Sequence, residues 1–202
     1  RACMAFFTSK GHCYVTRIAD IPPSTGYGDP VQKLFKFDDK EHVVGAVSFD
    51  PRFLVLPEEE LFWEDGTPCP PYGVAVTKQG LALRFPLFPH KEPSTRSGRK
   101  FARLKEGDEV LTVFTQIEGQ DGYVIAAARD GHALAVELEE TAILAGPGRG
   151  TILIKVGGGV ELLAARYAKS PRTDPLVVRT DKGKKFELFA EGLLGARGGR
   201  GK

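Results

Sequence analysis

The stretch VAVTKQGLALRFPL, Val74 to Leu87, sets an apolar run before three polar residues. Gly80 follows, then a second run in which apolar residues partly alternate. This reads as a β-hairpin: two strands around a short turn whose glycine supplies the positive φ that a tight reversal needs. The arrangement recurs as FFTSKGHCYVTRI from Phe6, IAAARDGHALAVEL from Ile125 and LVVRTDKGKKFELF from Leu176. The turn glycines are Gly11, Gly80, Gly131 and Gly183, spaced 69, 51 and 52 residues apart. A second element, a glycine-rich loop with basic residues, follows each hairpin by 17 to 19 residues, at Gly28, Gly98, Gly150 and Gly201. A third, an acidic turn leading into an apolar strand, completes the first three copies: DDKEHVVGAVSF, KEGDEVLTVF and GGGVELLAARY.

A repeat of about 50 residues with about four short strands is the mark of a propeller-type fold. One such unit is too small to bury its own face, so neighbours must stack. The expectation is an all-β, propeller-like domain over residues 1–202, built of repeated four-stranded blades. The repeats fall at approximately 1–50, 72–119, 123–170 and 174–202, the last partial. Residues 51–71 form an insertion rich in Pro and acid that carries Trp63, read as a loop or a short capping element. Helical periodicity is confined to Glu58–Trp63 and Leu134–Leu144.

The composition, 42% hydrophobic and 27% charged, is that of a globular chain able to bury a core. No apolar run approaches the ~20 residues of a membrane helix, and the opening RACMAFFTSKG has no signal-peptide cleavage pattern. It reads as a piece of a longer protein that begins inside a strand. Three cysteines, Cys3, Cys13 and Cys69, have no CxxC spacing, which points to free thiols in a reducing cytoplasm. His12, His42, His90 and His132 show no HxH or HExxH spacing, so no metal is expected.

The net charge of +2 says little, but its distribution says more. Basic blocks at Arg84–Lys105 and Lys182–Lys202 alternate with acidic blocks at Asp38–Asp65 and Glu106–Glu140. Folded onto different faces, these blocks give a basic side and an acidic side. Cations among glycines suit a phosphate-binding loop, because backbone N–H groups come close and the cations displace condensed counterions. The candidate DNA contacts are Lys33, Lys36, Arg84, Arg96, Arg99, Lys100, Arg103, Arg149, Lys155, Lys184, Lys185, Arg197 and Arg200. Of these, Arg99, Lys100, Arg149, Arg197 and Arg200 lie in the recurring loops. No recognition helix and no aromatic cluster among the basic residues is visible, so phosphate and shape readout is expected, with little base specificity.

The stretch Phe6 to Val47 resembles a blade of the C-terminal domain found in the A subunits of DNA gyrase and of topoisomerase IV. Ile21-Pro22, Gly26 to Pro30 and Val43 to Val47 fit the family's Ile/Leu-Pro step, glycine-rich basic loop and third strand. The later copies match more loosely, and together they cover essentially the whole chain. The resemblance implies a β-pinwheel whose blades exchange strands and whose basic rim binds, bends or wraps duplex DNA. It implies a non-catalytic part of a bacterial ATP-dependent type IIA topoisomerase, cytoplasmic and nucleoid-associated, with no cofactor of its own. The implied partners are duplex DNA, an ATPase B subunit, together with the rest of the A subunit, with no membrane. Arg197-Gly198-Gly199-Arg200-Gly201 match the last five positions of the family's Gln-Arg-Arg-Gly-Gly-Lys/Arg-Gly box. Gly195 and Ala196 stand where Gln and Arg would be, and the match lies at the chain end rather than in the first blade. Either the gyrase or the topoisomerase IV type therefore fits. The alternative is a propeller-like protein-interaction module working through its acidic face.

Two motifs resist a catalytic reading. GPGRGT at Gly146–Thr151 lacks the GK[ST] ending of a nucleotide loop. The Arg166-Tyr167 pair, which invites comparison with a topoisomerase nucleophile, falls on the third strand of a repeat. The catalytic Tyr is expected outside this chain.

Overall fold

The computed structural model describes residues 2–117 and 119–202. Arg1, which opens the first repeat, and Glu118, near the end of the second, lie outside the described residues. The first hairpin pairs β1 (Cys3–Thr8) with β2 (His12–Arg17), and β3 (Val43–Ser48) adds to the other edge of β1. The next repeat has the same order: β4 (Tyr72–Thr77) pairs with β5 (Leu81–Pro86). Beyond the short β6 (Arg99–Lys100), β7 (Val110–Gln116) lies against β4. The third repeat uses β8 (Tyr123–Ala128) and β9 (Ala133–Glu137), then, after β10 (Thr151–Ile152), β11 (Leu162–Ala168). The fourth is the hairpin β12 (Leu176–Arg179) and β13 (Lys185–Leu188), followed by the single-turn helix α1 (Ala190–Leu193).

The fourth strand of each full sheet comes from the next repeat. β6 pairs with β2, through Cys13↔Arg99 and His12↔Lys100. β10 pairs with β5, through Ala82↔Thr151 and Leu81↔Ile152. At the third sheet Ala133 and Lys202 exchange two N–H···O bonds of 2.9 Å. The exchange is fastened at the turns as well. The Gly11 carbonyl accepts from the Phe101 N–H at 2.9 Å, and the Gly80 carbonyl from the Leu153 N–H at 2.8 Å. Close approach here demands glycine. At Gly150, φ is +78° and an added Cβ would lie 2.3 Å from the Ala82 carbonyl oxygen.

The apolar cores lie between blades. Phe7 and Val15 of the first sheet meet Leu83, Phe85 and Phe101 of the second. Val74 and Val76 meet Val124, Val136 and Leu153 at the next interface, and Ile125, Ala135, Leu176 and Ala190 form the last. Both faces of β4 and β5 are covered, so every one of their residues is buried and polar alternation is lost. Each fully buried Phe or Leu in these interfaces contributes about 1.5–3 kcal/mol.

Neither stretch of helical periodicity becomes an α-helix, and one sequence expectation needs correction. Glu58–Trp63 is not helical, and Leu134–Leu144 holds most of β9 and a 3-10 turn at Leu138–Glu140, because pairing with β8 outweighs the local periodicity. Gly28 does not occupy the place of Gly98 and Gly150. The N–H groups of Lys36, Arg103 and Lys155 donate to Arg96, Gly148 and Gly199, which marks these three as equivalent. Counting back five residues gives Gly98 and Gly150 but Val31. The first connection is longer, and it makes a 3-10 turn at Val31–Lys33 where the others make β6 and β10.

Candidate nucleic-acid interface

The hairpin turns and the exchanged strands meet at one end of the sheets. There Lys10 from the first turn, Lys100, Arg103 and Lys105 from the second repeat, and Arg149 from the third surround a cleft of about 870 Å³. Strand exchange is what gathers them, since it carries Lys100 beside His12 and sets Arg103 against the Gly148 carbonyl at 2.9 Å. Asp38 and Asp108 also line the cleft. Asp108 is buried. Its Oδ1 accepts from the N–H groups of Gln79 and Glu109, at 3.0 and 2.8 Å, and its Oδ2 has no partner among the described residues. Lys10 shares Glu109 with Lys78, at 3.3 and 2.6 Å, and hydrogen bonds from Lys78 first, then Lys10, hold that carboxyl below the usual carboxylate range.

Beside the cleft His12, Asp38 and Glu41 bring ligand-type atoms within 4.8 Å of one another, a grouping that no spacing rule revealed. The buried Glu41 carboxylate is already engaged. Thr8 Oγ1 (2.5 Å), the Asp38 N–H (2.7 Å) and the Tyr14 hydroxyl (3.3 Å) donate to it, and His12 Nδ1 lies at 3.3 Å. Burial, then this carboxylate, pushes the Tyr14 phenol up. The cluster reads as the support of the cleft wall.

The remaining sequence candidates scatter around this centre. Lys36, Arg96, Lys155 and Arg200 are exposed. Lys33 pairs with Asp29 at 2.5 Å, and Lys185 with Glu187 at 2.7 Å. Lys184 lies over the Phe186 ring, 4.8 Å from its centroid. Arg197 donates to the Ile152 carbonyl at 3.1 Å, and its N–H to Glu140. Within the box-like run, Arg200 takes the same place as Arg149, one residue before the loop glycine, while Gly198 and Gly201 adopt positive φ and Gly199 accepts from Lys155.

Arg84 is a correction. It is 8% exposed, and its guanidinium donates to the carbonyls of Thr141 and Glu139 and to Gln116 Oε1, at 3.0, 3.1 and 3.3 Å, so it ties blades together. Desolvation lowers its pKa. It sits mid-strand in β5, which is covered on both faces, so no phosphate reaches it. Arg99 is half-buried and directs NH1 and NH2 to the carbonyls of Glu92 and Pro93, at 2.8 and 2.9 Å, away from the cleft. Lys10 and Lys105 were missed. Lys10 had a signal, because every hairpin turn carries a cation one or two residues before its glycine: Lys10, Lys78, Arg129 and Lys182. Tyr167 donates its hydroxyl to the Asp121 carbonyl at 2.7 Å and packs near Phe114.

No helix among the described residues is long and apolar enough to cross a membrane. The family model described as DNA gyrase C-terminal domain, beta-propeller, matches residues 4–50 and 74–116. No curated protein sequence matches the chain. Among solved structures, the C-terminal domain of DNA topoisomerase IV superposes with a TM-score of 0.82 at 19% identity, over all of this chain and 58% of that one. The E. coli ParC C-terminal domain gives 0.71 at 16%, over all of this chain and 76% of its own. The DNA gyrase A C-terminal domain gives 0.67 at 15%, over all of this chain and 59% of its own. The chain thus spans somewhat more than half of two of these domains and about three quarters of the third. The resemblance read from the residues holds: the first two blades match the DNA gyrase C-terminal domain family, and the whole chain takes the β-propeller-like fold of the gyrase and topoisomerase IV C-terminal domains.

Proposed function

We propose that this chain binds duplex DNA through its phosphates, without sequence preference, and bends or wraps it as the C-terminal domain of a type IIA topoisomerase A subunit. The five-cation cleft carries the reading. Exchanged strands set Lys100, Arg103 and Arg149 around one cleft with Lys10 and Lys105, and Lys36, Lys155 and Arg200 are exposed outside it. Phosphate neutralisation supplies affinity, and contacts along a curved rim offset a bending cost of about 1–6 kcal/mol for 40–90°. The domain needs no chemistry of its own. It would steer the transported DNA segment while the A subunit's catalytic Tyr and the ATPase of a B subunit work elsewhere, in the bacterial cytoplasm at the nucleoid.

The test is binding to a fluorescent duplex of arbitrary sequence, titrated with salt. The logarithm of affinity should fall linearly with the logarithm of salt, with a slope of about −0.9 per phosphate neutralised and a total of several. Affinity should not change when the sequence is scrambled. Absence of binding at low salt would overturn the reading.

A further inference from the structure

We propose that residues 61–69 form a self-association element, whose acidic, aromatic tip docks in the basic cleft of a second copy of this chain. The inference rests on the cation cluster assigned above to DNA, and it makes DNA and the hairpin competitors for it.

Residues 51–71 occur at one junction of the repeats only. They fold into a small built hairpin. The N–H of Trp63 donates to Thr67 and that of Cys69 to Leu61, both at 2.8 Å, and Gly66 closes the turn onto Trp63 at 2.9 Å. The Tyr72 hydroxyl anchors its base on the Pro68 carbonyl at 2.5 Å. This scaffold displays Leu61, Phe62 and Trp63 about half exposed, with Phe53 and Val55 more exposed still. Apolar knobs held clear of any core, on a hydrogen-bonded support, are the anatomy of an interface anchor.

Charge selects the occupant. Glu58, Glu59, Glu60, Glu64 and Asp65 flank the knobs in sequence and are all exposed, and Arg52 is the one cation in the insertion. Arg52 is engaged with Asp50 at 2.6 Å, and Lys91 meets the segment through the Glu58 main-chain carbonyl and not a carboxylate. Such a surface repels nucleic acid and anionic lipid and fits a recess edged by Lys and Arg. This chain owns such a recess. The guanidinium groups of Arg103 and Arg149 in the cleft can stack on the Trp63 and Phe62 rings while Lys10, Lys100 and Lys105 meet the carboxylates.

Register puts knob and recess at opposite ends. The insertion leaves β3 at Ser48, paired with Met4, and enters β4 at Tyr72, paired with Pro86; both lie far from the turns at Gly11 and Gly80. The cleft lies at the turn end. One copy cannot fill its own cleft, so the contact is head-to-tail and propagates.

Sedimentation velocity at low salt, over about a hundredfold range of protein concentration, tests this. The wild-type weight-average mass should rise with concentration and return to the monomer value at high salt or with excess duplex DNA. The F62A/W63A variant should weaken association by about tenfold or more. A chain reversed at the acids beside the hairpin, E58K/E59K/E60K, and a cleft-reversed chain, K100E/R103E, should each be monomeric alone and associate when mixed. A wild type that stays monomeric at low salt, or reversed chains that associate alone as the wild type does, would overturn the proposal. DNA binding by F62A/W63A is measured in parallel. If it matches wild type while wild-type self-association is absent, only this inference falls. If association persists but no chain binds DNA, only the DNA reading falls.

Discussion

Two clefts of this molecule are built by the same backbone and carry different charge. The first holds Lys10, Lys100, Arg103, Lys105 and Arg149. One repeat further on, a cleft of about 490 Å³ holds Gln79, Ile152, Lys155 and Gly157 in the places of Lys10, Lys100, Arg103 and Lys105, and Lys105 itself borders both clefts, so the second has two cations to the first's five. Glu161, the counterpart of Glu109, lies on its edge. Strand exchange therefore fixes where side chains stand, and the residues at those places decide what the place does. DNA contact should be concentrated at the first cleft.

The sharpest way to break that comparison is charge reversal. K100E/R103E should weaken duplex binding about a thousandfold at low salt and flatten the salt slope by about two. The reciprocal change, Ile152→Lys with Gly157→Lys, adds cations to the second cleft at an exposed residue and at a glycine with open space and no positive φ. It should strengthen binding about fivefold. Unchanged binding by K100E/R103E, read by fluorescence anisotropy, would erase the distinction.

The supports beneath the clefts differ too. The connection leading to the first wall buries His90, 7% exposed, between Phe7 and Phe85 with ring centroids 6.0 and 5.7 Å away. Glu140, at the end of the corresponding 3-10 turn, is exposed. Burial first, and then Arg99, lowers the His90 pKa from 6.5 to about 4. The folded state then refuses a proton that the unfolded chain accepts. Stability from this group is complete above pH 6.5 and falls as pH drops toward 4. The loss should reach on the order of 2–3 kcal/mol. Urea unfolding at about pH 7 and about pH 4.5 measures it, and His90→Leu should remove most of the difference.

The smallest contrast is between loop glycines. Gly150→Ala adds left-handed strain to a clash with the Ala82 carbonyl and should cost about 2–4 kcal/mol. Gly28 has φ +74° but nothing within 4 Å of an added Cβ, so Gly28→Ala should cost about 1 kcal/mol. Thermal unfolding of both variants gives the difference directly.

Much of the fold was legible because its punctuation is glycine. The four hairpins fall where their turn glycines stood, and the third strands follow the acidic turns. The misread parts share a physical cause. A fourth strand lent by the next repeat has two residues and no periodicity of its own, so β6 and β10 looked like loops. Glycine spacing then mistook Gly28 for a docked position. Cation count could not separate Arg84, covered on both faces of β5, from Lys100, which strand exchange carries to the cleft wall. Lys105 enters the cleft through contacts between repeats that no local pattern announces, whereas Lys10 follows the turn cation that every hairpin carries.

Strand exchange also sets an order of events during synthesis. The outer edge of β2 stays uncovered until Arg99 has been made, and that of β5 until Thr151 has. Each of these blades leaves the ribosome with the β2 or β5 edge open, and its successor covers that edge. Removing one repeat cleanly would let the next close the same edge, whereas a cut inside a repeat strands two blades at once. The unit that a lineage can gain or lose is therefore the offset segment from one hairpin to the next borrowed strand.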